Sequence, residues 1–274
     1  MKKRVLVIAK AEPSPSKKYG ASVCTAGITE EGEFIRLYPI PFRVFCDRET
    51  RFNRYDWIEA DCEKSSDDRR KESYKVKSET IKVVGSINTD FNWAERSRYV
   101  LPLRSKNFSE LNESGASLGL VRPSEVLGLI RTKPSDGPLG NDVKNNRKAM
   151  QMMFDTEHEA THLRPVPVIN EIDTYYRYRF KCKDEETIHE IMCEDWELYE
   201  STRSWKDRYG TDDAVWEKIC EKFFSVFTSK HDLHFFVGTH FQWRTWVIIG
   251  IYYPPKVGPP NTCQTRLFGT GPLL

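Results

Sequence analysis

Two histidines spaced by one helical turn are the first candidates for chemistry. Residues 158–162 read HEATH, so His158, Glu159 and His162 match the pattern H-E-x-x-H. On a helix, this spacing lets both histidines bind zinc while the glutamate acts as a base. However, Pro165 and Pro167 end any such helix within about one turn of His162. We therefore interpret the segment as a solvated turn in a linker and not as a peptidase site.

A second group of possible metal ligands lies in the stretch KCKDEETIHEIMC, a predicted hairpin that carries Cys182, His189 and Cys193. Thiolate and imidazole groups are the usual ligands of zinc, which makes zinc the candidate cofactor. A tetrahedral site needs a fourth ligand, for which His231 and His234 are the candidates. Convergence depends on the strand register, and the alternative is that both cysteines are small core residues.

Aromatic and basic residues are interleaved in several stretches, as in a single-strand nucleic-acid site, where rings stack on bases and cations contact phosphates. The alternative is that the rings belong to the core and the arginines pair with nearby acids. The candidate nucleic-acid-binding residues are Lys18, Arg36, Tyr38, Phe42, Arg43, Arg54, Trp93, Arg96, His240 and Trp243.

The stretch TYYRYRFKCK shows the same mixture within one predicted strand. Alternation places Tyr176 and Tyr178 on one face and Tyr175, Arg177 and Arg179 on the other. Either face could be the buried one, so a binding role and a core role remain open for this strand.

The overall charge does not favour a dedicated nucleic-acid binder, because 42 basic side chains face 40 acidic ones. A local basic groove remains compatible with that balance. The sequence contains no Walker loop, no dinucleotide-binding glycine motif and no G-x-S-x-G elbow. The acids of 56–63 alternate with apolar residues, as on the wet face of a strand. The sequence therefore favours a binding protein over an enzyme.

Seven scattered cysteines without a C-x-x-C pair, and the lack of an export signal, predict reduced thiols and a cytoplasmic location. No apolar run is long enough to span a bilayer, so we expect no membrane partner.

Short apolar runs predict about five strands and little helix in the first hundred residues. They are the runs 4–9, 21–28, 33–38, 55–63 and 80–87, and a mixed-charge loop lies at 65–75. Residues 107–111 predict one helical turn. The run 124–130 fits a capped helix or a helix that runs into a strand, and residues 132–148 are predicted to be a surface loop or a disordered insertion.

The last third is more regular. Strands are predicted at 174–183, 188–196, 232–239 and 245–253, and a helical region at 195–229 with Asp212 or Asp213 as an N-cap. With a strand at 126–131, the order β-β-β-α-β-β is that of an OB-fold, a five-stranded Greek-key barrel.

We therefore predict a mainly β protein with some helix (α+β) that contains two tandem small OB-like barrels. The barrels are expected at 1–105 and 171–274, joined by a linker at 106–170, and the second has its helix between its third and fourth strands. A single larger β-rich domain with an inserted helix is the alternative.

Several long blocks resemble a prokaryotic family associated with the dual OB-containing domain. They include KKYGASVCTAGITEEGEFIRLYPIPFR, YDWIEADCEKSSDDRRKESYK, NWAERSR, GASLGLVRP, EDWEL and DLHFFVGTHFQWRTWVIIGIYYPP. The resemblance covers nearly the whole chain and implies two OB-like barrels and a role in nucleic-acid transactions, including defence against phage. It also implies a Cys- and His-rich turn, like a zinc knuckle, before the Asp-Trp-Glu block. This chain keeps Cys182 and His189 there, adds Cys193 and lacks the central cysteine.

Three functional hypotheses follow. The first is a sensor or adaptor that binds single-stranded nucleic acid, with a protein partner in a larger system. The second is a metal-dependent nuclease or hydrolase that uses His189, His234 or His240. The third is a protein-interaction scaffold.

Overall fold

The computed structural model describes residues 1–16, 20–46, 50–66, 68–132, 174–240 and 244–256. The protein is mainly β, with a few helices, as predicted. Within those ranges, no helix is both long enough and apolar enough to cross a membrane.

Seven strands form the first sheet, and five of them close into a barrel. The ring runs β1-β3-β4-β6-β5 and returns to β1, and the β4–β6 contact is parallel. Strand β7 is an additional neighbour of β5. The strands are β1 (Lys2–Lys10), β2 (Ser14–Ser16), β3 (Gly20–Thr29), β4 (Phe34–Pro41), β5 (Asp56–Lys64), β6 (Ser73–Val76) and β7 (Lys82–Ser86). This closed barrel agrees with the expected OB-like barrel in the first third of the chain.

The second sheet has the order β10-β11-β12-β14-β13-β9-β8. Strands β10, β11 and β12 form an antiparallel meander, and β12 then contacts β14 in the parallel sense. The strands are β8 (Arg104–Ser105), β9 (Leu118–Val121), β10 (Pro123–Thr132), β11 (Tyr175–Cys182), β12 (Ile188–Cys193), β13 (His234–Thr239) and β14 (Trp246–Tyr252).

Helices connect the strands and cover the second sheet. A helical region separates β12 from β13 at the position predicted from the apolar spacing at 215–227. The helices are α1 (Arg43–Cys46), α2 (Asp90–Val100), α3 (Phe108–Glu113), α4 (Trp196–Tyr209), α5 (Asp212–Ile219) and α6 (Phe227–Lys230), with a π-helical segment at Cys220–Val226 and 3-10 turns at Ser78–Thr80 and Leu101–Leu103.

A shared apolar layer holds the two sheets together. Strands β1 and β14 are buried on both faces, which explains their nearly continuous apolar runs. On β1, Val5 and Val7 face the barrel interior, whereas Leu6 and Ile8 face the second sheet. We call this layer the seam cluster; its buried members are Leu6, Ile8, Ala9, Ala26, Ile28, Tyr55, Ile87, Val100, Leu118, Leu120, Phe236, Val247, Ile249 and Tyr252.

The structure corrects several local predictions. Strand β6 lies in the predicted loop at 65–75, and α2 adds a helix to the first hundred residues. The segment 124–130, left open between helix and strand, belongs to β10. The N-cap of α5 is Thr211, whose hydroxyl accepts from the Ala214 N–H, and not Asp212 or Asp213. Strands β9 and β10 lie within the predicted linker 106–170, but both pair with strands of the second sheet.

The first barrel and the second sheet with its helices, which we call the two units, approach closely at Gly250. A Cβ atom added there would lie 2.7 Å from Cβ of Ala9 on the opposite sheet. We expect Gly250→Ala to lower the free energy of unfolding by about 1–3 kcal/mol, because a packed layer cannot absorb an extra methyl group. Urea unfolding tests this, and adding Ala9→Gly should restore part of the loss; a double variant no more stable than Gly250→Ala would contradict the contact.

Candidate functional site

A row of cations lies on the outer face of β11. Side chains alternate between the two faces of this strand. Tyr176, Tyr178 and Phe180 are buried in the core between the second sheet and its helices, which we call the second core, while the residues between them point outward. The outward basic side chains are Arg177, Arg179 and Lys181, which we call the β11 row. The tyrosine face of this strand is therefore the buried one, and the basic face is the outward one.

The β11 row has no side-chain partner among the residues that the structure describes. In the ranges that the structure describes, none of its three side chains takes part in a hydrogen bond or an ion pair. Arg179 is exposed, and the other two are half-buried. Successive members are about 7 Å apart, the repeat of two residues along a strand.

Neighbouring strands set the character of the surface around the row. The register places Arg177 between Ile130 of β10 and Met192 of β12. Lys181 lies between Glu125 and Ile188, and Arg179 has Glu190 across from it. Two carboxylates therefore flank three cations, and apolar side chains fill the gaps. The cations of such a surface can contact phosphates. Its apolar side chains can contact nucleobases or other flat groups.

The corresponding outward face of the first barrel is covered by the second unit. Arg36 points outward from β4 but is only 2% exposed. Its Nη2 donates to the carbonyl oxygen of Ser117 at 2.7 Å, while its Nη1 has no partner among the described residues. Burial lowers the pKa of Arg36 below its ordinary value. The predicted phosphate contact is therefore not available, because the second sheet occupies the space.

Further hydrogen bonds join the first barrel to the second unit near Arg36. The carboxylate of Glu72 accepts from both the backbone N–H and the hydroxyl of Ser117, at 3.0 and 2.8 Å. Arg70 binds Asp68 through two nitrogens and donates to the carbonyl oxygen of Thr239. Burial alone would raise the pKa of Asp68, but hydrogen bonds from Arg70 and its charge lower it to about 2.

Tyr38, Phe42 and His240 lie around the rim of this contact. Tyr38 is 44% exposed, and its hydroxyl accepts from Ser22. Phe42 instead stacks on Trp196, with ring centroids 5.5 Å apart. His240 is half-buried; burial and then the charge of Arg70 lower its pKa. Of these three predicted residues, Tyr38 offers the most exposed ring.

Arg54 is a structural residue of the interface. Its guanidinium donates to Asp195 at 3.3 Å and to the carbonyl oxygens of Ile8 and Ile251 at 3.0 and 2.6 Å. Burial alone would lower its pKa, but Glu197 and Asp195 raise it. The side chain is 6% exposed, so it cannot contact a nucleic acid in this structure.

Trp93 and Arg96 come together with Tyr55, as their closeness in the sequence suggested. The guanidinium of Arg96 lies 3.9 Å from the ring centroid of Tyr55 and 5.0 Å from that of Trp93. Arg96 also donates to the carbonyl oxygen of Ile87 at 2.8 Å. Because Trp93 packs on Tyr252 and Tyr253, this stack is part of the contact between the units.

Several predicted positions lie outside the described residues, namely Lys18, Trp243 and the whole HEATH stretch at 158–162. The backbone of Arg43 belongs to α1, and its side chain lies outside the description as well.

The hairpin brings two of the three predicted metal ligands together. Ligand atoms of Cys182, Glu185 and His189 all lie within 4.8 Å of one another. Cys193 is elsewhere, across from Tyr176 and fully buried in the second core. Four residues along a strand separate it from His189 by about 13 Å. The donor types present, a thiol, a carboxylate and an imidazole, fit zinc, although Cys193 does not belong to the set.

The histidines of the hydrolase hypothesis do not form one group. His234 is fully buried at the start of β13, and His240 follows the other end of that strand. Six residues of strand correspond to about 20 Å, so the two imidazoles cannot act on one substrate atom.

Glu185 and Lys181 were missed from the sequence. Glu185 lies in the turn, and only its spacing to both Cys182 and His189 could have indicated it. Lys181 continues the alternation of Arg177 and Arg179 and could have been added to that face on period alone.

Two family models match the chain. The first, Domain of unknown function (DUF8758), covers residues 1–102. The second, Domain of unknown function (DUF8757), covers residues 105–271. No curated protein matches the chain.

Proposed function

The chain belongs to the family described as Domain of unknown function (DUF8757), and we propose that it binds single-stranded nucleic acid through the β11 row. The observation that carries the proposal is that Arg177, Arg179 and Lys181 share one outward strand face and have no partner within the described part of the chain. Unpaired cations at a regular spacing are what a phosphate backbone requires.

We also infer that the second unit is an OB-like barrel. In support, β9 ends at Val121 and β10 begins at Pro123, so only Arg122 separates them. Strand β9 pairs with β13 and β10 pairs with β11, so one bent segment borders both ends of the path β11-β12-β14-β13. The second and third strands of an OB barrel, which form its usual oligonucleotide-binding face, would then be β11 and β12.

The two units would have different roles. The outward face of β4 in the first barrel is occupied by the second sheet, whereas the face of β11 carries the exposed Arg179. The first barrel would then support the second, which would hold the ligand. A sensor or adaptor of the kind implied by the resemblance to dual OB-containing proteins, including one in phage defence, needs no more than this binding face.

Replacement of two row cations tests the proposal. The double variant Arg177→Gln and Arg179→Gln should bind labelled oligothymidylate or oligouridylate roughly tenfold or more weakly at low salt. Each phosphate contact contributes about 0.7 to the slope of log affinity against log salt. The slope, measured by fluorescence anisotropy, should therefore fall by about 1.4 in this variant.

The matched control is Lys82→Gln with Arg98→Gln, which removes the same charge from two exposed positions outside the row. We expect it to retain nearly the affinity of the unmodified protein. Equal losses in both double variants would contradict a site at β11, and no salt-sensitive binding by the unmodified protein would contradict nucleic-acid binding itself.

A further inference from the structure

Three side chains of metal-ligand type lie together where the turn joins β11 to β12, and all three are at least partly buried. Nε2 of His189 lies 2.8 Å from Oε2 of Glu185, and the buried thiol of Cys182 completes the group. The rings of Phe108 and Phe180 form its apolar walls, with centroids 4.6 and 5.5 Å from the imidazole.

Glu185 is held so that one oxygen faces the cluster. Its Oε1 accepts from the backbone N–H and the hydroxyl of Ser109, at 3.0 and 2.8 Å. These bonds fix the carboxylate from behind, as outer hydrogen bonds do for metal-ligating carboxylates. Oε2 therefore remains directed toward His189, which shares the space with Cys182.

We propose that Cys182, Glu185 and His189 bind one divalent cation of the zinc class, with Glu185 as a ligand and Cys193 excluded. Zinc bonds of about 2.0–2.3 Å in a tetrahedron leave ligand atoms up to roughly 3.8 Å apart. The donor atoms lie within 4.8 Å of one another, and Nε2 of His189 and Oε2 of Glu185 are 2.8 Å apart, so shifts of roughly 1 Å bring all three to the separation that zinc needs. Water takes the fourth position.

The cation would hold β11 and β12 together and, through Glu185, would connect both strands to α3. Cys182 ends β11, His189 belongs to β12, and Glu185 is already bonded to Ser109 of α3. Asn107, the N-cap of α3, also donates to the carbonyl oxygen of Lys183 at 3.2 Å. A bound cation therefore fixes the end of β11 next to Lys181. The role is structural and does not depend on what the β11 row binds.

Cobalt titration of chelator-treated protein tests the site without any nucleic acid. One Co²⁺ per chain should bind and give the near-ultraviolet charge-transfer band of a cobalt–thiolate bond. Cys182→Ser should abolish the band, because it removes the only sulfur ligand. Glu185→Gln and His189→Ala should weaken Co²⁺ binding at least about tenfold, and circular dichroism should confirm that each variant is folded.

Cys193→Ser is the matched control, since it changes a cysteine of the same hairpin outside the donor set. It should retain both the band and the stoichiometry. The proposal is overturned if the unmodified protein binds no Co²⁺, if the band survives Cys182→Ser, or if Glu185→Gln binds as tightly as the unmodified protein.

Discussion

Replacing Asp195 with alanine is expected to lower the free energy of unfolding by about 3–5 kcal/mol, the usual cost of breaking a buried ion pair by removing one of its members. Asp195 caps α4 by accepting from the Leu198 N–H at 3.0 Å. Its second carboxylate oxygen accepts from the Ile251 N–H at 2.9 Å and from Arg54 at 3.3 Å. The substitution removes all three bonds and leaves the buried Arg54 guanidinium with Glu197, 3.3 Å away, as its remaining ionic partner.

Urea unfolding followed by tryptophan fluorescence measures this loss. The matched control is Arg4→Ala, which breaks an exposed ion pair with Glu30 whose side chains are 42% and 56% exposed. Exposed pairs contribute little, so a loss below about 1 kcal/mol is expected there. A similarly small loss for Asp195→Ala would contradict the view that the Arg54–Asp195 pair holds the two units together.

Replacing Glu194 with glutamine is expected to stabilise the protein above neutral pH. Burial, and then the charge of Glu12, raise the pKa of Glu194 from 4.5 to about 7. A carboxyl group whose pKa is raised on folding favours the folded state while it is protonated. Its contribution is lost as the pH rises from about 4.5 to about 7. Over this shift the loss amounts to roughly 3 kcal/mol, at about 1.4 kcal/mol for each pH unit.

The measurement is the difference in unfolding free energy between Glu194→Gln and the unmodified protein from pH 4 to pH 8. It should be near zero at pH 4 and grow in favour of the variant up to pH 8. Glu190→Gln, at an exposed position of the neighbouring strand β12, should give a difference that does not vary in this way. A flat difference for Glu194→Gln as well would show that the raised pKa is not a property of the folded state.

The strands and their order were largely predictable, because short-range patterns carry them. Alternation assigned Tyr176 and Tyr178 to the core once one face was known to be buried, and β-branched runs located β1 and β14. Strand β6 was not predictable in this way, because its four residues, SYKV, lie in a mixed-charge stretch and pair only through the barrel. Similarly, β10 could be read as helix until its partner β11 was known.

The candidate site was harder to predict, since residue type does not tell which face of a barrel another unit will cover. Arg36 and Arg54 are of a residue type that commonly contacts phosphates, yet both are buried between the two units because the second sheet packs there. Arg177 and Arg179 are the same residue type but lie on the outward face of β11. In the proposed cation site, the strand register places Cys193 across from Tyr176 and away from His189, whereas Glu185 comes from the turn. Residue types alone reveal neither position.

The seam cluster also determines when the chain can fold during its synthesis. Its N-terminal members, such as Leu6 and Ile28, leave the ribosome long before Val247 and Ile249 exist. At about 5–20 residues per second, the intervening stretch takes roughly 10–40 s to translate. Once the first barrel has been made, its apolar side therefore stays uncovered until β13 and β14 emerge.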